Sequence, residues 1–236
     1  MISVCLATFN GEKYIQEQLD SILNQLGLGD EIIVSDDGSS DQTLEIISAY
    51  EDPRIHVFKN HERKGIVGNF ENAMKNCKGD YIFLSDQDDV WLPQKVEISL
   101  EALIENDLVV TNCSVVDENL AIIFPSYFEI ANSRKGFLKN FYRSSYLGCC
   151  LAFNRKLLNI VLPIPASLNL FHDWWIGFLA DTSFKTIFIE TSCLLYRRHN
   201  LNVSTTTEKS NQKINKRIFD RFQLLYLGLY RLLKRN

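Results

Sequence analysis

The residues from 81 to 91 constrain this chain most, because a short apolar run there leads directly into three acidic side chains. Residues 81–85 are mostly apolar, and Asp86, Asp88 and Asp89 follow them. A continuous apolar run of this length is typical of a strand that is buried in a parallel sheet. Open α/β sheets bind ligands at the carboxyl ends of their strands, so a binding site is predicted here. Carboxylates this close repel one another, and a hard cation or hydrogen-bond donors would offset that repulsion.

Strands and helices alternate through the first 90 residues, which predicts a parallel sheet with right-handed crossovers. The apolar patterns predict strands at 2–8, 30–35, 54–59 and 81–85, with helices at 14–25, 42–50 and 69–75 between them. In the second half we expect strands at 108–116, 147–153, 185–189 and 194–198, and an apolar helix from residue 172 to about 180.

Three polar clusters follow successive strands of this predicted sheet, at residues 8–12, 36–39 and 86–89. Neighbouring strand ends line one crevice in a doubly wound sheet, so these clusters are expected to meet. The chain contains neither Gly-x-Gly-x-x-Gly nor Gly-x-x-x-x-Gly-Lys-Ser/Thr. Their absence argues against a dinucleotide oxidoreductase and a P-loop NTPase. Without such a loop, a pyrophosphate bound here would need a divalent cation held by Asp86, Asp88 and Asp89.

Composition is that of a globular protein, since 46% of the 236 residues are hydrophobic and 23% are charged. No apolar run reaches the length of a membrane span, and the first eight residues are expected to form a strand and not a signal peptide. The six cysteines include no Cys-x-x-Cys pair, which indicates a reducing, cytoplasmic compartment.

The last 24 residues form a predicted basic amphipathic helix, with seven Lys or Arg and one Asp, although the whole chain carries a net charge of −4. Such a helix could lie on an anionic membrane, pack on a partner or cover its own domain; we favour the membrane. Nucleic-acid binding is not expected, because the rest of the chain is acidic. The apolar face contains Ile214, Ile218, Phe222, Leu225, Leu229 and Leu232.

Together these motifs resemble those of family 2 glycosyltransferases with the GT-A fold, over residues 1–203. That resemblance implies an α/β fold, with a Rossmann-like, mostly parallel sheet and flanking helices, followed by the C-terminal amphipathic helix. It divides the chain into a nucleotide-binding half at 1–91, an acceptor half at 92–203, and a linker with a basic tail at 204–236. The matching segments are Ala7-Thr8-Phe9-Asn10-Gly11-Glu12, Val34-Ser35-Asp36-Asp37-Gly38-Ser39-Ser40-Asp41, Lys78-Gly79-Asp80 with residues 81–91, Leu147-Gly148-Cys149-Cys150-Leu151-Ala152-Phe153-Asn154, His172-Asp173-Trp174-Trp175 and Tyr196-Arg197-Arg198-His199-Asn200.

The resemblance implies a donor pocket in the first half. Phe9, Asn10 and Glu12 would surround the nucleotide, and Asp37 would accept a hydrogen bond from the pyrimidine ring N–H. Asp86 would lie near the ribose. Asn69 and Gln87 are expected in the same pocket.

It also implies a metal site and a catalytic base. Asp88 would bind Mg²⁺ or Mn²⁺, Asp89 would share the metal or contact the sugar, and His199 would contact the metal or a phosphate. Asp173 matches the position of the catalytic base. Of the two residues that follow it, Trp174 and Trp175, one is expected in the core and the other facing the acceptor.

The implied activity is inverting, non-processive transfer of a sugar from a UDP- or dTDP-linked donor to a saccharide acceptor. The His172-Asp173 pair is similar to that of enzymes that add rhamnose and related deoxysugars in bacterial surface-polysaccharide synthesis. The acceptor would then be lipid-linked, and the enzyme would lie in the cytoplasm, peripheral to the inner face of the membrane.

Two alternatives compete with this hypothesis. A nucleotidyltransferase would need a glycine-rich loop with basic residues near residue 10, where the chain offers only Gly11 and Lys13. A catalytically silent binding module would recruit partners to membranes through the tail, but the candidate base at Asp173 argues against it.

Overall fold

The computed structural model describes residues 1–199 and 214–234. The strands in these ranges are β1 (Ile2–Thr8), β2 (Glu31–Asp36), β3 (Ile55–Lys59), β4 (Tyr81–Asp86), β5 (Val90–Trp91), β6 (Leu108–Val116), β7 (Ile122–Phe124), β8 (Leu151–Asn154) and β9 (Thr186–Arg197). The α-helices are α1 (Ile15–Leu23), α2 (Thr43–Ser48), α3 (Ile66–Asn76), α4 (Lys95–Leu103), α5 (Tyr127–Ala131), α6 (Phe137–Tyr142), α7 (Arg155–Val161), α8 (His172–Ser183) and α9 (Ile214–Leu233).

One curled sheet contains all these strands, in the order β3-β2-β1-β4-β8-β6-β9-β5, with β7 paired to β6. The first four strands in this order are parallel, as are β6 and β9, whereas β8 runs antiparallel to both of its neighbours. Every residue of β1, β2 and β6 is buried, because helices cover both faces of the sheet. The predicted α/β class is therefore confirmed.

The register of the central strands brings the polar clusters to one edge. Thr8 at the end of β1 pairs with Asp36 at the end of β2, and Ala7 pairs with Asp86 at the end of β4. Three strands that begin far apart in sequence therefore end side by side. The loops that follow them line a single crevice, as the sequence pattern predicts.

The second half departs from the predicted elements at two places. Residues 147–153 do not form one strand: a 3₁₀ turn at Gly148–Cys150 precedes the short strand β8. A side chain at Gly148 would collide with His172, since a Cβ there would lie 2.7 Å from its Nε2 atom. The two strands predicted at 185–189 and 194–198 are one strand, β9, whose pairing with β6 shifts register near Asn112.

The helix α9 packs on the domain that precedes it. Gly228 lies against the ring of Phe178 in α8, and a Cβ there would be 2.1 Å from a ring carbon, so only glycine allows this close approach. Arg231 donates hydrogen bonds to the carbonyl oxygens of Ile160 (2.9 Å) and Leu162 (2.7 Å) at the end of α7. Of the possibilities that the tail sequence left open, contact with its own domain is observed for one face. None of the helices in the described ranges has the length and apolar character needed to cross a membrane.

Candidate active site

Gln87 joins the loop after β1 to the end of β4. The N–H group of Phe9 donates to Oε1 of Gln87 over 2.8 Å, and Nε2 of Gln87 donates to the carbonyl oxygen of Phe9 over 2.9 Å. The Phe9 side chain itself is 53% exposed. A side chain at Gly11 would displace the Gln87 carboxamide, because a Cβ there would lie 2.3 Å from its Oε1 atom. The carboxamide of Gln87 therefore holds Phe9 in place, with the Phe9 ring free to meet a ligand.

Asn10 and Glu12 connect this loop to the turn that follows β2. Oδ1 of Asn10 accepts a hydrogen bond from the N–H of Ser40 over 2.9 Å, and the backbone N–H of Asn10 donates to Oγ of Ser39 over 2.9 Å. Oε2 of Glu12 accepts from the N–H of Gln42 over 2.9 Å, at the start of α2. This contact satisfies one of the N–H groups that a helix leaves without an internal partner. Both side chains thus fix the relative position of two crevice loops.

Asp37 and Asn69 lie deeper in the same crevice. The Asp37 carboxylate accepts hydrogen bonds from the side chain of Asn60 (2.9 Å) and the N–H of Gly65 (2.8 Å). Asn69 is buried, accepting from Oγ of Ser35 (2.6 Å) and donating to the carbonyl oxygen of Thr8 (3.0 Å). Asn69 therefore supports the strand ends from below. The predicted nucleotide contacts of both residues stay predictions.

Asp86 and Asp89 are carboxyl groups at the end of β4, and Asp89 is fully buried whereas Asp86 is partly buried. Burial raises the pKa of Asp86 to about 8, and the charges of Asp88 and Asp173 add to the shift. Burial, together with Asp88 and Asp86, raises the pKa of Asp89 well above its usual range. Oδ1 of Asp89 accepts from the N–H of Arg197 over 3.1 Å, whereas Oδ2 has no hydrogen-bond partner among the described residues. A buried carboxylate oxygen without a partner is suited to bind a cation.

The predicted metal ligands form two adjacent groups. Ligand atoms of Asp86, Asp89 and Cys149 all lie within 4.8 Å of one another. Asp88 instead pairs with His199, with 2.7 Å between Oδ2 and Nε2. Several carboxylate oxygens, one of them without a partner, fit a hard divalent cation such as Mg²⁺ or Mn²⁺, for which the Cys149 thiol is a poorer ligand. The roles assigned to Asp88, Asp89 and His199 stay predictions.

Arg197 organises this acidic turn from the far end of β9. It is 2% exposed, and its guanidinium group donates to the carbonyl oxygens of Asp88 (2.8 Å) and Glu118 (2.7 Å) and to the carboxylate of Glu17. The Cζ atom of its guanidinium group lies 4.6 Å from the centre of the Tyr14 ring. The sequence predicts no role for Arg197 beyond its place in the matching segment at residues 196–200. A basic residue at the end of an apolar strand was the available signal.

Asp173 lies in the first turn of α8 and faces the same crevice. Burial raises its pKa to about 7, although the N–H groups of Trp174 and Gly148 lower it in part. Oδ1 accepts from the N–H of Trp174 over 2.6 Å. The charge of Asp173 also adds to the raised pKa of Asp86, so the two carboxyl groups interact electrostatically. The role of Asp173 as the base stays a prediction.

The two tryptophans differ as expected in their burial. Trp175 is completely buried and donates from Nε1 to the carbonyl oxygen of Val161 over 3.0 Å. Trp174 is partly buried and donates to the carbonyl oxygen of Asn140 over 2.9 Å. The guanidinium group of Arg221 lies 5.0 Å from the centre of its ring. The core tryptophan is therefore Trp175. Contact of Trp174 with an acceptor stays a prediction.

Comparison with known sequences gives one family and several relatives. The family model described as Glycosyl transferase family 2 matches residues 3–161. The chain is 27% identical over 222 residues to the UDP-Glc:alpha-D-GlcNAc-diphosphoundecaprenol beta-1,3-glucosyltransferase WfgD of Escherichia coli, covering 89% of this chain and 81% of that protein. It is 29% identical over 215 residues to the dTDP-rhamnosyl transferase RfbG of Shigella flexneri, covering 84% of this chain and 72% of that protein.

Comparison with solved structures identifies the fold. Residues 1–349 of S. aureus TarS, in complex with UDP, superpose with a TM-score of 0.70 at 20% identity, over 96% of this chain and 64% of that one. The mannosyltransferase PcManGT from Pyrobaculum calidifontis, in complex with GDP-Man and Mn²⁺, gives a TM-score of 0.60 at 16% identity, over 100% of this chain and 64% of that one. The chain thus spans less than two thirds of these structures. At such low identity the likeness shows the fold alone, and it confirms the predicted GT-A fold.

The buried carboxyl groups predict how stability depends on pH. The folded-state pKa values of Asp86 (about 8) and Asp173 (about 7) exceed those of an unfolded chain, so the folded state holds extra protons below pH 8. Between pH 6.5 and 8 the metal-free protein should therefore lose stability as pH rises, by about 1.4 kcal/mol per pH unit for each such proton. Outside this window the lowered pKa values of His172 (about 3) and Lys139 (about 8) act in the opposite direction.

Urea unfolding at several pH values in a metal chelator measures this slope. The double variant Asp86→Asn/Asp173→Asn should show a shallower slope than the wild type, with the part that is due to Asp89 remaining, whereas Asp80→Asn, at an exposed position before the same strand, should keep the wild-type slope. A wild-type protein whose stability is constant or rises across the window would contradict the assigned pKa shifts.

Proposed function

Because this chain belongs to glycosyl transferase family 2, we propose that it moves a sugar from a nucleoside-diphosphate donor to a saccharide acceptor in polysaccharide synthesis, with inversion at the anomeric carbon. One observation carries the proposal. Two kinds of carboxyl group face one crevice: a buried acidic turn at the end of β4, and Asp173 on a separate helix. Leaving-group stabilisation and proton removal need separate groups, and the crevice supplies both.

Asp173 is the proposed general base. An acceptor hydroxyl oxygen attacks the anomeric carbon as the bond from that carbon to the diphosphate oxygen breaks, and the hydroxyl proton passes to the Asp173 carboxylate. The raised pKa of about 7 makes this carboxylate a better proton acceptor than a solvent-exposed aspartate would be. A single displacement of this kind inverts the anomeric centre. The fixed position of α8 also orients the base, which lowers the entropic part of the barrier.

A divalent cation is the proposed cofactor. Asp86, Asp88 and Asp89 would hold it, with His199 beside Asp88. When bound, Mg²⁺ or Mn²⁺ would act as a Lewis acid that offsets the charge of the departing diphosphate. Arg197 keeps the acidic turn in place with two hydrogen bonds. Its side chain donates to the carbonyl oxygen of Asp88, and its backbone N–H donates to the carboxylate of Asp89.

The proposed donor carries UDP or dTDP, and the sugar is rhamnose or a related deoxysugar. Support comes from the names of two relatives, one a UDP-Glc-dependent glucosyltransferase and the other a dTDP-rhamnosyl transferase. The name of the glucosyltransferase includes a diphosphoundecaprenol-linked acceptor, which supports a lipid-linked saccharide as the acceptor here. Phe9 and Asp37 would contact the nucleotide of this donor, since both border the crevice next to the acidic turn.

Association with the inner face of the membrane is proposed for α9. The face opposite to Leu224 and Gly228 carries apolar and aromatic side chains, and Phe222 and Tyr226 on it are 66% and 69% exposed. Exposed Lys216 at one end of the helix supplies positive charge for anionic lipids. We also propose that residues 1–203 are the catalytic domain and 204–236 a linker and tail; of these, residues 200–213, 235 and 236 lie outside the described ranges.

Replacing Asp173 tests the base. Asp173→Asn should lower kcat by about 10²–10⁴-fold while leaving nucleotide binding unchanged, because only proton transfer is removed. For the wild type, kcat/KM should rise with pH with a midpoint near 7, since the base acts when deprotonated. Transfer assays and calorimetry measure both.

Asp181→Asn, on the same helix, is the matched control, because the Asp181 carboxylate bonds Asn140 and not the crevice. Equal rates for Asp173→Asn and the wild type would refute the assignment of the base.

The cation proposal is tested through Asp89. Mn²⁺ with UDP or dTDP should raise the Tm of the wild type, because a ligand that binds only the folded state stabilises it. Asp89→Asn should abolish the part of this rise that needs Mn²⁺, without lowering the Tm of the metal-free protein, since it removes a buried charge. Thermal unfolding with and without chelator measures the effect, and Asp80→Asn serves as the control. An unchanged Mn²⁺ response in Asp89→Asn would exclude Asp89 from the site.

Vesicle binding tests the role of α9. The double variant Phe222→Glu/Tyr226→Glu should lose binding to vesicles that contain anionic lipid, because both side chains are exposed and apolar or aromatic. Co-sedimentation measures bound protein. Leu28→Glu changes a 94% exposed apolar residue outside this helix and should bind as the wild type does. If neither neutral nor anionic vesicles bind the wild-type protein, the membrane proposal fails.

A further inference from the structure

Basic side chains gather where the segment around α6 meets the first half of α9. Residues 132–145 contain four basic residues and no acidic one, and residues 214–223 contain three basic residues and one acidic residue. Arg221 joins the two segments, because its guanidinium group donates to the carbonyl oxygen of Tyr142 over 2.7 Å. We call this set the basic surface, and its members are Arg134, Lys135, Lys139, Arg143, Lys216, Arg217 and Arg221.

The acidic groups beside the basic surface offset only part of its charge. The carboxyl group of Asp181 accepts a hydrogen bond from Asn140 over 2.9 Å, and burial raises its pKa. Burial and the charge of Arg217 lower the pKa of Arg221, and the charge of Asp220 counteracts this shift in part. Seven positive charges therefore outweigh the negative charges next to them.

Lys139 shows what this imbalance does to a single group. Burial, together with the charges of Arg143 and Arg134, lowers the pKa of Lys139 to about 8. Its ammonium group donates to Oγ of Ser145, and an ammonium group has two further N–H donors. An anion placed among these three cations would stabilise the charge of each of them. The arrangement therefore suits a negatively charged ligand.

Phosphate is the anion that fits the basic surface best. Four of its seven members are arginines, and a guanidinium group can pair with a phosphate through two parallel hydrogen bonds. Arg221 donates three hydrogen bonds, two to the carbonyl oxygen of Tyr142 and one to that of Arg217. Since a guanidinium group has five N–H donors, the same group that fixes α9 on α6 can also bind a ligand.

The basic surface adjoins the turn that carries the proposed base. The Cζ atom of Arg221 lies 5.0 Å from the centre of the Trp174 ring, and Trp174 directly follows Asp173 in the first turn of α8. Nε1 of Trp174 donates to the carbonyl oxygen of Asn140 in α6. Both α6 and α9 thus meet α8 at this turn. The diphosphate of the donor is proposed to lie at the acidic turn after β4, so a second phosphate-binding surface beside the base serves the acceptor.

We propose that the basic surface binds the phosphate group through which a saccharide acceptor is joined to its lipid, and so brings a hydroxyl group of that acceptor to Asp173. The assignment rests on the proposed glycosyltransferase function. Lipid headgroups of the bulk membrane fit less well, because Lys139 and Arg221 are partly buried. A phosphate on one extended molecule reaches such groups more closely than a packed lipid layer does.

The double variant Arg134→Gln/Arg143→Gln tests the basic surface. Both side chains are exposed, so the Tm and the affinity for UDP with Mn²⁺ should equal those of the wild type. The probes are GlcNAc joined through a diphosphate to an octyl chain, and octyl GlcNAc without phosphate. The wild type should bind the first probe about tenfold more tightly or better, and the variant should lose most of this difference, as expected for lost charge-assisted hydrogen bonds. Calorimetry in a metal chelator measures both affinities and keeps the diphosphate away from the proposed cation site.

The double variant Lys78→Gln/Lys185→Gln is the matched control. It removes two positive charges from exposed positions just before β4 and β9, at the edge of the sheet opposite to the crevice. This control should bind both probes as the wild type does. Added salt should weaken binding of the diphosphate probe to the wild type and the control more than to Arg134→Gln/Arg143→Gln, because the variant has fewer charges to screen.

Vesicles distinguish the phosphate of an acceptor from that of the bulk membrane. Vesicles of phosphatidylcholine and phosphatidylglycerol should bind Arg134→Gln/Arg143→Gln nearly as they bind the wild type, if the basic surface serves the acceptor. If the variant instead loses vesicle binding and keeps the wild-type affinity for the diphosphate probe, the surface is a membrane contact and the proposal is overturned.

The remaining outcomes also decide the proposal. Equal binding of the two probes by the wild type would overturn it, as would equal weakening by the variant and by Lys78→Gln/Lys185→Gln. The proposed function fails in a different way. A wild-type protein that binds the diphosphate probe through Arg134 and Arg143, but neither binds a nucleotide sugar nor transfers from one, would have the phosphate site without the proposed activity.

Discussion

The carboxyl groups gathered at the end of β4 and in the first turn of α8 are the constraint on which the rest of this structure depends. Desolvation raises the pKa of Asp86, Asp89 and Asp173 because it disfavours the ionised form. The charges of Asp88 and Asp173 add to the shift of Asp86, and those of Asp88 and Asp86 add to the shift of Asp89. For folding alone, uncharged side chains at these positions would be more stable. The arrangement becomes favourable when positive charge enters the crevice, so the energetics of the apo fold already point to a charged ligand.

The polar residues of the crevice divide into two groups by their hydrogen bonds. The side chains of Gln87, Asn69 and Arg197 form hydrogen bonds with backbone atoms. These bonds hold three loops and the acidic turn in fixed positions. By contrast, one oxygen of Asp89 and both nitrogens of His172 lack partners among the described residues. Groups of the first kind build the frame, whereas groups of the second kind add no hydrogen bond to it. Residue type alone does not separate them, since amides, bases and acids occur in both.

Much of the site could be predicted from sequence because its signals are local. An apolar run that ends in acids places Asp86 and Asp89 at a strand end, and alternating strands and helices bring the neighbouring strand ends together. The GT-A fold and Asp173 came from the resemblance of whole motifs. What could not be predicted depends on contacts between distant segments. Arg197 reaches the acidic turn across more than 100 residues of sequence, and the lack of partners around His172 exists only in three dimensions.

The crossing of α9 over α8 has a mechanical consequence. Gly228 allows the Phe178 ring of α8 to touch the backbone of α9, and Arg231 donates hydrogen bonds to carbonyl groups at the end of α7, so α7, α8 and α9 pack together as one piece. Asp173 belongs to the first turn of that piece. Any surface that held the exposed side of α9 would therefore set the tilt of α8 and the height of its first turn above that surface. The height of Asp173 above that surface would then set how far the free hydroxyl group of an acceptor must lie from the acceptor's anchor.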